Sequence, residues 1–275
     1  MRSYVLAVSA ALAALATTAH AHTAFMLPAD FSPEATEVAI EAGYGTQFFQ
    51  PQIAFGADGL SAIRPDGTRA IFDTIRVDGT RTSLELRTLS QGTYRVSTGE
   101  VLGAVTTLVA ADGTWRPLAQ GETPAPDVET QTLQTVTLAE SYVSRGRPDQ
   151  RALQDAVGRL AIRPITHPNQ VLVSGGMELE LLFDGRPFPN MPFVLYGAGD
   201  NENDLDRVFV TDANGRARLT FDTPGNYVAA IRHRTAAPAG AAAQVQSYTT
   251  TLTFEVLTAL PEYPPVEEPR RRRRR

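Results

Sequence analysis

The chain has no cysteine among its 275 residues, which excludes disulfides, thiol nucleophiles and thiolate metal sites in one step. It has no lysine either, all 25 basic side chains being arginine, a bias that reflects base composition rather than chemistry. Histidine occurs only four times, as His20, His22, His167 and His233, so any imidazole chemistry must draw on these positions. A Gly-x-Ser-x-Gly elbow, a phosphate-cradling glycine loop and a zinc-protease helix motif are all missing, which leaves nucleophilic hydrolysis without a recognisable foothold. Helical periodicity is almost absent. Beyond the N-terminus, no apolar run reaches the roughly 20 residues that a membrane-spanning helix needs.

Six of the arginines close the chain as Arg270 to Arg275 and one lies near its start, so the 30 acidic residues outnumber the arginines in between. An acidic body is a poor nucleic-acid binder, because phosphate contacts require clustered positive charge. The arginine run follows a proline-rich spacer and offers electrostatic contact with an anionic envelope surface, or simple solubility.

The start of the chain reads as a secretory signal peptide. Met1-Arg2 precedes the uncharged apolar run Tyr4 to Ala16. Ala19 and Ala21 then supply the small residues that signal peptidase requires, predicting cleavage after Ala21 and export to the periplasm. His22 becomes the first mature residue. A cut after Ala19 would instead expose His20-Ala21-His22.

Strand signals dominate the remainder, as short alternating runs separated by Asp-Gly and Asn-Gly pairs. In Met177 to Phe183 the apolar residues Met177, Leu179, Leu181 and Phe183 alternate with Glu178 and Glu180, as in a half-buried strand. Asp184-Gly185 turns the chain, Met191 to Tyr196 returns, and Arg207 to Thr211 leads through Asn214-Gly215 into Ala217 to Phe221. The first half follows the same grammar, with strands near Glu37 to Glu41, Ser83 to Leu89 and Thr93 to Thr98. Gly92-Thr93-Tyr94 and Gly225-Asn226-Tyr227 form an internal echo, a glycine turn and an anchoring tyrosine at the head of a strand. The expected fold is all-β, with two antiparallel β-sandwich modules, the C-terminal one immunoglobulin-like or transthyretin-like. The predicted units are a signal peptide at 1–21, modules at 22–158 and 159–258, and a Pro-rich and poly-Arg tail at 259–275. One short helix is expected from Pro148 to Val157.

A histidine at a mature N-terminus carries an α-amine and an imidazole on one residue, and together they chelate Cu(II), Ni(II) or Co(II). His22 is therefore the leading metal ligand. His233 is the candidate second ligand: it shares a strand face with Tyr227, Ala229 and Ile231 and sits at the strand end, where an ordinary hydrogen-bonded histidine would also fit. His167, before Pro168 in a loop, is expected to be solvated, and Met26 to pack in the core. Gly199 to Asp206 concentrates carboxylates, but Leu205 stands where an EF-hand requires glycine and Thr211 where it requires glutamate, so a solvated hairpin loop is expected.

Ala19-His20-Ala21-His22 with Phe25-Met26-Leu27-Pro28, then Leu160 to Pro164, Asp184 to Pro187 and Val210 to Gly215, resemble an exported domain-of-unknown-function family. Its members are described as the periplasmic component of an ABC-type cobalt or nickel transport system. The resemblance implies a two-module β protein that acts with a membrane metal transporter and uses His22 as its mature N-terminus. Other members carry a further histidine near the end of the first strand, where this chain has Gly43-Tyr44-Gly45. The expected function is a metal-binding accessory role in nickel or cobalt uptake, as a binder rather than a catalyst. The alternatives are a copper enzyme with a histidine brace and a metal-free envelope scaffold.

Overall fold

The computed structural model describes residues 22–263. The segment expected to be a signal peptide and the arginine run lie outside the described residues. Along the chain the strands are β1 (Thr23–Pro28), β2 (Glu37–Gly45), β3 (Ser61–Ile63), β4 (Phe72–Val77), β5 (Thr82–Arg87), β6 (Gly92–Ser97), β7 (Val101–Ala111), β8 (Thr114–Pro117) and β9 (Thr130–Arg145). They continue as β10 (Leu160–Pro164), β11 (Val171–Leu172), β12 (Met177–Phe183), β13 (Arg186–Pro187), β14 (Pro192–Gly197), β15 (Val208–Val210), β16 (Arg216–Leu219), β17 (Gly225–Ala236) and β18 (Val245–Leu257). In place of the short helix expected from Pro148 to Val157 there is one 3-10 turn, Arg151–Leu153.

The fold is all-β and sandwich-like, and its modules share a sheet. Ten strands form a central sheet along the path β15-β14-β17-β18-β9-β6-β3, with β7, β8 and β11 attached. The long strands β18 and β9 pair in parallel from Val245↔Leu133 to Thr253↔Ser141 and join the two halves; the hairpin pattern of the sequence, which speaks only for antiparallel neighbours, could not show this pairing. The 158/159 junction falls between β9 and β10.

Each face of the central sheet carries its own cover. The sheet β10-β12-β13, with β16 on β12, packs Leu160, Ile162, Leu179 and Leu181 against Leu195, Ala229, Ile231 and Phe254. The sheet β1-β2-β5-β4 packs Met26, Ile40 and Leu84 against Tyr94, Val96 and Val143. Phe25 and Phe48 join Val194, Tyr196, Val228 and Ala230 in a third cluster. Neighbouring residues of β14 and β17 thus enter different cores. A strand buried on both sides is expected to lose its polar alternation, and β14 reads Pro-Phe-Val-Leu-Tyr-Gly, buried throughout.

The sequence echo is a structural one. Gly92 and Gly225 have φ of 115° and 142°, conformations that favour glycine. The Tyr94 hydroxyl donates to Ser90 O at 3.1 Å, and the Tyr227 hydroxyl to Thr223 O at 2.8 Å, each four residues back. Each module therefore has the tyrosine anchor that ties a strand to the turn before it. Tyr94→Phe and Tyr227→Phe are each expected to lower the unfolding free energy by about 1–2 kcal/mol, because each hydroxyl makes two hydrogen bonds to the turn residue. Urea denaturation of both variants checks this, and a loss in only one module would show that the anchors are not equivalent.

Candidate functional site around His22

His22 immediately precedes β1 and is half-buried. Strand β1 pairs with β2 from Thr23↔Gly45 to Pro28↔Ile40. Its apolar residues Ala24, Phe25 and Met26 are all buried, so the strand that His22 heads is held in the interior. Met26 is a core residue, as expected.

The next residue, Thr23, is locked by a buried polar network. Its hydroxyl donates to Glu202 Oε2 at 2.9 Å and accepts from Arg232 Nη2, and the guanidinium lies 3.5 Å from the same carboxylate. Glu202 is 7% exposed although it belongs to the loop expected to be solvated. That expectation holds for the exposed Gly199, Asn203, Asp204 and Asp206 and is corrected at Glu202, whose burial makes the loop a latch. Glu202 N donates to Thr46 O at 2.8 Å, the Tyr196 hydroxyl donates to Glu202 O at 2.9 Å, and Phe48 N donates to Asp200 O at 3.0 Å. Asp200 also pairs with Arg207, and Asp204 accepts from Asn201 N, so these carboxylates are engaged within the fold. The stacked rings of Phe48 and Tyr196, 4.2 Å apart, complete the joint.

Beside His22 a cleft of about 310 Å³ opens, lined by Tyr44, Thr135, Thr137, Arg232 and Thr249, with apolar contributions from Ile53 and Val101. Tyr44 comes from the Gly43-Tyr44-Gly45 segment. Burial pushes its phenol up to about 12, against the opposing effect of its bond with Thr137, so the ring is neutral at ordinary pH. Gly103 also borders the cleft, where an added Cβ would overlap Thr135 Oγ1.

His22 and His233 are not brought together. Side chains alternate along a strand, so the β17 residue that shares the cleft with His22 is Arg232, and His233 faces the other side of the central sheet. There it lies edge-on between Phe183 and Phe188, with both ring centroids 4.9 Å away. Burial, and next the Arg159 guanidinium, lower its pKa. β1 does run alongside the central sheet, but on the face opposite His233.

His167 corrects a further expectation, being 3% exposed rather than solvated. Its Nδ1 accepts from Asn169 N at 3.1 Å, which places the ring proton on Nε2, facing Thr93 Oγ1 at 2.9 Å and Asp149 O at 3.0 Å. Thr93 and Ser144 hydroxyls meet at 2.8 Å, Ser144 donates to Asn169 Oδ1 at 2.7 Å, and Asn169 Nδ2 donates to the carbonyls of Phe31 and Tyr142. This network ties β6, β9 and the loop after β10 together. Burial lowers the imidazole pKa to about 4. Among the described residues, then, neither other histidine stands beside His22 to complete a brace, and there is no cluster of three or more His, Asp or Glu that could hold a metal ion.

Sequence reading missed Thr23, Glu202, Arg232 and the threonines of the cleft. One signal was present: Arg232 follows the apolar run Val228 to Ile231, and a charge that ends such a run asks for a buried partner.

No curated protein matches the chain. Among solved structures, the D0-D1 domain of Intimin is similar at 14% identity, over 83% of this chain and 96% of that one, with a TM-score of 0.22. A family match runs from residue 19 to residue 235, through His22, the latch and Arg232, and by it the chain belongs to the family described as a domain of unknown function (DUF4198).

Proposed function

We propose that the chain is an exported periplasmic accessory protein that holds a divalent transition-metal ion, nickel or cobalt, at the amine and imidazole of His22 and passes it to a membrane metal transporter. The observation that carries this reading is the fixed position of β1: His22 heads a buried strand whose first residue is clamped by Glu202 and Arg232, and it opens onto a cleft. An imidazole and an amine suit these borderline ions. One residue leaves most coordination positions free, which favours release to a partner over permanent storage. His233 has no part in this site.

The test begins with the mass of the mature N-terminus, expected to start at His22. Calorimetric titration of that protein with nickel chloride is expected to give one site. His22→Ala, or one extra residue before His22, should weaken it by at least about tenfold, the usual scale for losing support at a metal site. His233→Ala should leave it unchanged. Equal affinity in the processed and extended proteins would rule the reading out.

A further inference from the structure

The cleft is larger than a bare ion needs, and its lining is of the wrong kind for direct ligation. Among the described residues, His22 is the only strong metal donor on it. Tyr44 is a neutral phenol, threonine hydroxyls are weak ligands, and Arg232 repels a cation. Yet the wall that β9 and β18 contribute is polar, although Ile53 and Val101 add apolar surface elsewhere on the cleft. Thr249 and Thr137 are directly paired neighbours on β18 and β9, and Thr135 lies one pleat along, on the same face of the sheet. That face continues inward as Thr251 and Thr253, fully buried, whose hydroxyls have no hydrogen-bond partner among the described residues. Buried hydroxyls are ordinarily paired. Arg232 approaches Thr23 and Glu202 through Nη2 in both cases, which leaves its remaining N–H donors for something in the cleft.

We infer that the cleft receives the ion as a complex with a small hydroxycarboxylate rather than as the bare aquo ion. His22 supplies the nitrogen donors, and the chelator fills coordination positions that the protein does not. Its carboxylates and hydroxyls are held by Arg232, Thr135 and Thr249. A guanidinium binds carboxylates through charge-assisted hydrogen bonds, and hydroxyls both donate and accept. This inference rests on the proposed role of His22, and the experiment separates the two.

Processed protein is titrated with nickel chloride, with preformed nickel–citrate and with citrate alone. Nickel–citrate is expected to bind at least about tenfold more tightly than nickel chloride, the effect of one hydrogen bond to a charged group. Thr135→Val and Thr249→Val, both half-buried positions, should each remove about that factor for nickel–citrate while leaving nickel chloride unaffected. Circular dichroism confirms that the variants fold. Equal binding of both nickel forms, with no effect of the threonine changes, would overturn the inference and leave the role of His22 intact. Citrate bound equally well without nickel would also overturn it, making the cleft a plain carboxylate site. Failure of every nickel form to bind would overturn both.

Discussion

Replacing Glu202 with alanine is expected to lower the unfolding free energy by about 3–5 kcal/mol, the range seen when one partner of a buried ion pair is removed. The carboxylate is 7% exposed and the Arg232 side chain 16% exposed, so solvent does little to screen either charge. Without Glu202 the guanidinium is left with the Thr23 hydroxyl, and Thr23 loses its acceptor. The loss therefore falls on the join between β1 and β17, not on the loop alone. Glu202→Gln keeps the size and an acceptor for Thr23 but not the charge, and should fall between wild type and alanine. Replacing the pair together, as Glu202→Leu with Arg232→Met, should cost less than Glu202→Ala, because no unpaired charge remains. Urea denaturation of the four proteins is the measurement. A change within about 0.5 kcal/mol for Glu202→Ala, typical of an exposed position, would mean that the loop is solvated after all. If β1 also positions His22, folded Glu202→Gln should bind nickel more weakly than wild type.

The residues explain why some of this was legible in advance and some was not. Strand β12 was readable to its ends, Met177 to Phe183, because apolar residues at every second position mark its core face; its other face is not the solvent face expected, since only Glu178 is exposed there and Glu180 and Leu182 are buried. The turn at Asp184-Gly185 was readable because both residues adopt positive φ, 51° and 71°, which that pair tolerates. The parallel pairing of β9 with β18 was not, since it joins segments more than 100 residues apart and leaves no turn between them. His233 was placed on the correct strand face, with Tyr227, Ala229 and Ile231, but which face meets β1 is decided by the order of the sheets. His167 looked like a loop residue because its burial comes from Thr93, Ser144 and Asn169, none of which marks a core by composition. The acidic loop was misread for a related reason. Its composition is that of a solvated turn, while a single member, Glu202, faces inward to meet an arginine 30 residues later.

Two buried titratable groups give the protein a pH dependence whose halves oppose each other. For His167, burial holds the folded pKa at about 4 against 6.5 unfolded. Between those values the unfolded chain takes a proton that the native state refuses, so its contribution is complete above pH 6.5 and is lost as pH falls towards 4. Glu140 runs the other way. It is 2% exposed, Arg95 lies 3.8 Å from an oxygen that has no hydrogen-bond partner among the described residues, and burial outweighs that distant cation to push the carboxyl up to about 7 from 4.5. The native state then keeps a proton that the unfolded chain gives up, so this contribution is complete below pH 4.5 and is lost as pH rises through 7. Each of these displacements corresponds to about 3 kcal/mol, and across pH 4.5–6.5 the two slopes largely cancel. Glu140→Gln removes one of them. Whatever the amide costs in packing, the stability of this variant relative to wild type should rise by about 3 kcal/mol from pH 4.5 to pH 8, and its own curve should show the uncompensated His167 slope between pH 4 and 6.5. Denaturant titrations at pH 4.5, 6 and 8 decide it: parallel curves for variant and wild type would mean that Glu140 is ionised in the native state, with Arg95 outweighing its burial.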